Sequence, residues 1–144
     1  MAVLSSSAAP ERSTAQVSPR DAIMRLAARA SIEISAKQPE QIGAWGAMLP
    51  PGSEVFVAWV PGTLPGTIVT AAQRVRAAGH EPVPHVAARQ VASAAAAADL
   101  LARLRGEGGV TRVLLIAGDG GPARGPYADS EALLETGLFP KHSI

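Results

Sequence analysis

Cysteine is absent from the 144 residues, which excludes disulfides, thiolate zinc sites and a cysteine nucleophile and suits a reducing compartment. Redox work by such a chain would need a bound cofactor. Aromatics are scarce at 3%, and alanine supplies much of the 47% hydrophobic fraction, so a core must be built largely from small and aliphatic side chains. Neither charge sign dominates: the net charge is +1 with no basic block, and neither nucleic acid nor an anionic membrane is suggested as a partner. No apolar run approaches the ~20 residues of a spanning helix. The start, "MAVLSSSAAPERS", lacks the basic opening and long apolar core of a secretion signal. These absences lead to the expectation of a soluble cytoplasmic protein. The three histidines, His80, His85 and His142, form no HxH or HExxH pattern, so no dedicated metal site is expected. No GxxxxGK[ST] occurs, and no GxGxxG follows the first expected strand.

What is present reads as one domain with an alternating plan. Residues 1–18, rich in Ser, Ala and Pro, are expected to be a flexible tail. A helix is expected from Ser18 or Pro19 to about Ala30, with Ser18 as its cap and Ile23, Leu26, Ala27 and Ala30 at helical spacing. "SIEIS" alternates as a strand does. "QPEQIGAWGAML" carries a helix-start proline and sets Ile42, Trp45 and Leu49 on one side, although Gly43 and Gly46 weaken the helix. "EVFVAWV" predicts a strand that stops at "PGTLPG", and a helix follows over Thr67 to Ala78. "EPVPHVAA" predicts a strand with two prolines. "SAAAAADLLARLR" predicts a helix capped by Ser93 and ended by the glycines after Arg105. "TRVLLIAGD" is expected to be a buried strand, and "SEALLETGL" a short helix capped by Asp129.

The order β-α-β-α-β-α-β-α after an opening helix implies right-handed crossovers and a parallel sheet, either an open doubly wound sheet or a barrel. In both, ligands gather at the carboxyl ends of the strands. Glu33, Ala58 with Trp59, His85 and Asp119 fall there. Alternation points Ser31, Glu33 and Ser35 away from Ile32 and Ile34. A carboxylate inside a barrel would lose water and gain a raised pKa suited to a general acid, whereas one on an edge strand would point into solvent. His85 could hydrogen-bond a phosphate or a ring, or cap a carbonyl. Asp119 makes either chemistry or a turn, while Gly118 and Gly120 would let a ligand approach the backbone. Trp45 and Trp59 read more readily as packing than as cofactor contacts.

Together, "SIEIS", "VFVAWVPG", "EPVPHVAAR" and "TRVLLIAGDGGPARGPYADSEALLETG" resemble, in order, the amino-terminal half of methylenetetrahydrofolate reductase, over about residues 31–144. The resemblance implies parallel β/α units forming about half of a (β/α)8 barrel, with residues 19–144 stopping near the fifth strand of a fold that typically needs about 250 residues. It implies FAD at the carboxyl end of the strands, NAD(P)H as reductant, and hydride transfer to 5,10-methylenetetrahydrofolate to give 5-methyltetrahydrofolate. By position, Glu33 matches the family's general acid, His85 its "PH" flavin contact and Asp119 its "GD" aspartate beside flavin and pterin. The resemblance makes Glu33 and Asp119 the candidate catalytic residues and Ala58, Trp59, His85, Gly118, Asp119 and Gly120 the candidate cofactor contacts. The chain departs from the family at "ISAKQ", at Ala58, where a threonine is common, and at Ala117, where many relatives carry arginine. The alternative is a non-catalytic half-barrel that binds a folate, or pairs with a second copy or another barrel-forming chain.

Overall fold

A computed structural model describes residues 18–119 and 121–144 of the chain. Residues 1–17 of the expected tail, and Gly120, lie outside the described residues. The opening helix α1 spans Pro19–Ala27, where proline at the first position needs no N–H partner and the Ser18 hydroxyl accepts from the Asp21 amide at 3.1 Å. It ends three residues before the expected Ala30, and none of its residues is buried.

Strand β1 (Ile32–Ser35) leads to α2 (Gln41–Trp45), which tightens at Gly46 into a 3-10 turn over Gly46–Met48. The two glycines thus shorten the expected helix. Of its expected buried face, Ile42 is buried and Leu49 partly so, but Trp45 is 52% exposed. Strand β2 (Glu54–Ala58) is followed by α3 (Pro65–Ala77), which begins two residues before the expected Thr67 because Pro65 supplies its first turn.

Strand β3 (Glu81–Ala87) carries prolines at 82 and 84 and yet lies inside the sheet. Strand β4 (Leu114–Ile116) pairs with it only from His85 onward, so at both prolines β3 has a single neighbour, the edge-like setting in which proline is tolerated. Helix α4 (Ala94–Gly108) is capped by Ser93, whose hydroxyl accepts from the Ala96 amide. It runs through Gly106 rather than ending there, and stops where Gly109 takes φ +60°. Beyond β4 come α5 (Ser130–Leu134), capped by Asp129, and α6 (Leu138–Lys141).

The strands form one all-parallel sheet in the order β1-β2-β3-β4. Right-handed crossovers between sequential neighbours put the intervening helices on one face. Ile34, Val55, Val57 and Val86 point to that face and are at most 2% exposed, packed with Ile68, Val69, Val75, Leu100, Leu101 and Leu104 from α3 and α4. The register places Glu33, Phe56 and Val83 together on the opposite face, with His85, Leu114 and Ile116 further along it. On this open face Glu33 and Leu114 are exposed, and Phe56, Ala58 and Ile116 are half-buried.

The expectation of a buried fourth strand is corrected. Only three residues of "TRVLLIAGD" are strand, Leu114 is 40% exposed and Leu115 and Ile116 are half-buried, because β4 is an edge with a neighbour only on its β3 side.

Candidate functional site

Two of the residues singled out in the sequence meet on the open face. Glu33, the second residue of β1, and His85, two residues before the end of β3, stand on strands separated by β2, and their long side chains converge above it. Glu33 Oε2 lies 3.3 Å from His85 Nε2. The approach is too poorly aligned for a hydrogen bond, and Nε2 is a buried atom without a hydrogen-bond partner. Phe56 of the intervening strand stands edge-on to the imidazole, with ring centroids 6.2 Å apart. Burial holds the His85 pKa below the ordinary histidine value, and the attraction of Glu33 only partly opposes it, so the ring is neutral at neutral pH. The Glu33 side chain keeps 58% of its exposure. The loss of water expected of an interior carboxylate is therefore not seen: β1 is an edge strand, and nothing among the described residues covers its open face.

Carboxylates at the amino ends of the strands have a different setting. Glu54 and Glu81 are register partners on β2 and β3, a like-charge pair that two arginines neutralise. Arg76 holds Glu81 through both guanidinium nitrogens, the Nη2 bond being 2.8 Å, and Arg112 reaches Glu54 at 2.5 Å. The hydrogen bond from Arg76 pushes the Glu81 pKa down. These ion pairs hold the bottom of the sheet, although the Arg76 Nε is left buried without a hydrogen-bond partner. His80 is likewise structural: it is buried, and its Nε2 lies 3.0 Å from the Gly46 carbonyl, to which it must donate.

The other expected cofactor contacts are dispersed. Ala58 ends β2 on the same face as Glu33, level with Ser35. Trp59 has the opposite parity; it is 5% exposed within the core, and its indole N–H donates to the Thr63 carbonyl at 3.0 Å. Gly118 takes φ +95°, and a Cβ there would stand 3.2 Å from the Ala87 Cβ, so its small size serves packing of the loop on the end of β3. Asp119 is exposed three residues beyond β4, and among the described residues no hydrogen bond or ion pair joins it to Glu33 or His85. Gly120 lies outside the described residues.

Arg89, which no motif marks, is a positioning residue. Its amide donates to the Ala117 carbonyl at 3.0 Å, its carbonyl accepts from the Arg124 amide at 2.8 Å, and its Nε donates to the Ala128 carbonyl at 2.7 Å. One residue after β3 thereby ties down both ends of the glycine loop that carries Asp119. The available signal was an arginine directly behind an apolar strand, a group that must find carbonyl partners nearby.

Two grooves of about 330 Å³ flank the sheet. One, lined by Ile32, Glu33 and Trp45, follows β1. The other, lined mainly by Val113, Leu115, Leu134, Phe139 and Ile144, lies outside β4. No helix among the described residues is long and apolar enough to cross a membrane. No protein-family model matches the chain.

Proposed function

We propose that the chain is a methylenetetrahydrofolate reductase-like half-barrel whose open sheet face contributes to a flavin and folate site. The carrying observation is the buried, unpartnered Nε2 of a neutral His85 beside the exposed carboxylate of Glu33 and the edge of Phe56. An orphaned imidazole nitrogen is costly to keep, and a ligand with hydrogen-bonding ring atoms would satisfy it; unlike the other buried orphans, Thr63 Oγ1, Arg76 Nε and His80 Nδ1, it stands beside an exposed carboxylate on the open face. The sequential strand order, with helices on one face, supports the barrel reading over a doubly wound sheet, whose order reverses.

These residues fit FAD in type: His85 for a ring heteroatom, Phe56 and Ala58 for apolar contact, and the Gly118 segment at the rim. When bound, the flavin would carry hydride from NAD(P)H to the folate methylene carbon. Glu33 would supply the proton that the folate's leaving nitrogen takes up as 5-methyltetrahydrofolate forms. Closure of the sheet's open face by further strands would exclude water from that transfer.

Titration of the purified protein with FAD, followed by flavin fluorescence, tests the reading. Wild type is expected to bind, His85→Ala to bind at least tenfold more weakly, about 1.4 kcal/mol, and Glu33→Gln to bind unchanged while losing NAD(P)H-dependent folate reduction. Wild type that leaves FAD fluorescence unaltered would sink the proposal. The alternative reading, a non-catalytic half-barrel that recruits a partner, is favoured by the exposed apolar side chains at both sheet edges.

A further inference from the structure

We infer that two copies of this chain associate through both sheet edges, closing an eight-stranded parallel barrel about a two-fold axis. The inference rests on the half-barrel reading of the sheet and is independent of flavin or folate. Strands β1 and β4 each have one neighbour among the described residues, and all four strands run the same way. A half-turn about an axis along the strands preserves their direction, so β4 of one copy meets β1 of the second, and β4 of the second meets β1 of the first. The contact joins unlike surfaces, yet the ring closes after two copies, with the eight parallel strands of a closed barrel and no free edge.

The exposed apolar side chains are distributed as such a contact requires. Of the eight large hydrophobic residues most exposed, Ile23, Met24 and Leu26 lie on the helix that leads into β1, Trp45 lines the groove along β1, and Leu114 and Leu134 belong to β4 or the helix after it; Met48 and Leu64 belong to neither edge. Helix α1 enters β1 after a four-residue connection and carries Ile23, Met24 and Leu26 at 62–75% exposure with nothing to cover. The groove outside β4 lies on the helix-bearing face, as the parity of Leu115 with Val86 shows. In the closed ring a helix that leads into β1 falls on that face beside β4 of the other copy. The apolar stripe of α1 and the apolar groove of Val113, Leu115, Leu134, Phe139 and Ile144 thereby become each other's cover.

Charge favours the same match. Around α1, Arg20, Arg25 and Arg29 outweigh Asp21, while around α5 and α6, Asp129, Glu131 and Glu135 outweigh Lys141; all eight are exposed. A positive helix thus meets the acidic surface of α5 and α6, while Arg112, which also lines the groove, is engaged by Glu54, and the match penalises an α1-to-α1 arrangement. The two-fold makes each edge contact twice, which doubles the surface that a single edge would bury.

Light scattering on the purified protein without flavin tests the inference. Wild type is expected at twice the 14.7 kDa of the chain, and Met24→Glu with Leu26→Glu, or Leu134→Glu alone, at the single-chain mass. These side chains are exposed in the single chain, so far-UV circular dichroism of the variants should match wild type and separates dissociation from unfolding. Because the chain has no cysteine, Leu26→Cys and Leu134→Cys proteins, mixed and treated with a short bis-maleimide, should cross-link to one another more than either does to itself. A folded wild-type monomer, an oligomer of another size, or a dimer untouched by both sets of glutamates overturns the inference. A dimer that ignores FAD would defeat only the flavin reading, and a monomer that binds FAD only this one.

Discussion

Replacing Gly125 by alanine is expected to be the most damaging small substitution in the glycine loop. Gly125 does not have a positive φ, so the argument is steric. A Cβ added there would stand 2.5 Å from the Val91 carbonyl oxygen and closer still to that of Ala92, below the 3.0 Å that real Cβ atoms keep. Both obstacles are backbone, in the link between the 3-10 turn Ala88–Gln90 and α4, so no flexible side-chain tip can give way. Relief requires moving the loop off that link, which breaks the Arg124 amide's bond to the Arg89 carbonyl next door. Overpacking of this kind plus one lost hydrogen bond amounts to about 3 kcal/mol. For a domain of this length that lowers Tm by about 10 °C. Thermal melts followed by far-UV circular dichroism provide the measurement. Gly43→Ala is the control: Gly43 is helical with nothing within 4 Å of the added carbon, so it should gain about 0.5–1 kcal/mol. A Gly125→Ala protein melting within about 2 °C of wild type, the range of neutral surface changes, would refute the packing argument.

Arg89→Met keeps most of the side-chain length but removes the Nε bond to the Ala128 carbonyl, and should cost about 1 kcal/mol in urea denaturation while raising protease cleavage between Ala117 and Tyr127. Cleavage at the wild-type rate would show that the backbone bonds of Arg89 suffice. Acidification should act in two stages. The folded pKa of His85 lies below its unfolded value, so the folded state resists protonation and stability declines as pH falls below roughly 6.5. Glu81, held low by Arg76, contributes stability that is full above roughly 4.3 and lost as pH falls through its lower folded value. The urea midpoint of His85→Gln should therefore stay flat from neutral pH until the carboxylate range, and a wild-type-like decline in that variant would count against His85 as the cause.

The parts of the fold most legible in the sequence are those governed by local chemistry. Ser18, Ser93 and Asp129 each cap a helix with the side chain because an oxygen placed before a helix meets its free amides whatever lies beyond. Alternation in "SIEIS" correctly separates Glu33 from Ile34, since side-chain parity is a property of a single strand. Trp59 shows the same rule from the other side: the parity of Val55 and Val57 already assigns it to the core rather than to the Glu33 face. Arg89 is less accessible to such reasoning, because its value lies in three bonds to residues 28 to 39 positions further along the chain, and no local period reports a partner at that range.

The exposure of Glu33 and that of β4 have a common origin. Strand composition indicates how apolar a strand is, but burial depends on neighbours on either side. "VLLI" is apolar enough for the centre of a parallel sheet, yet lies at its edge with Leu114 turned toward solvent. Glu33 sits on the opposite edge, on the same face as His85. Only closure between those two edges would enclose the open face, burying Leu114 and drawing Glu33 out of water together. The two properties are thus coupled: a closure that joins the β4 edge to the β1 edge covers Leu114 and the Glu33 carboxylate together. A perturbation confined to the β4 groove, such as Leu134→Glu, should therefore raise carbodiimide labelling of the Glu33 carboxylate, read by peptide mass spectrometry, although Leu134 belongs to the helix after β4 and Glu33 to the opposite edge.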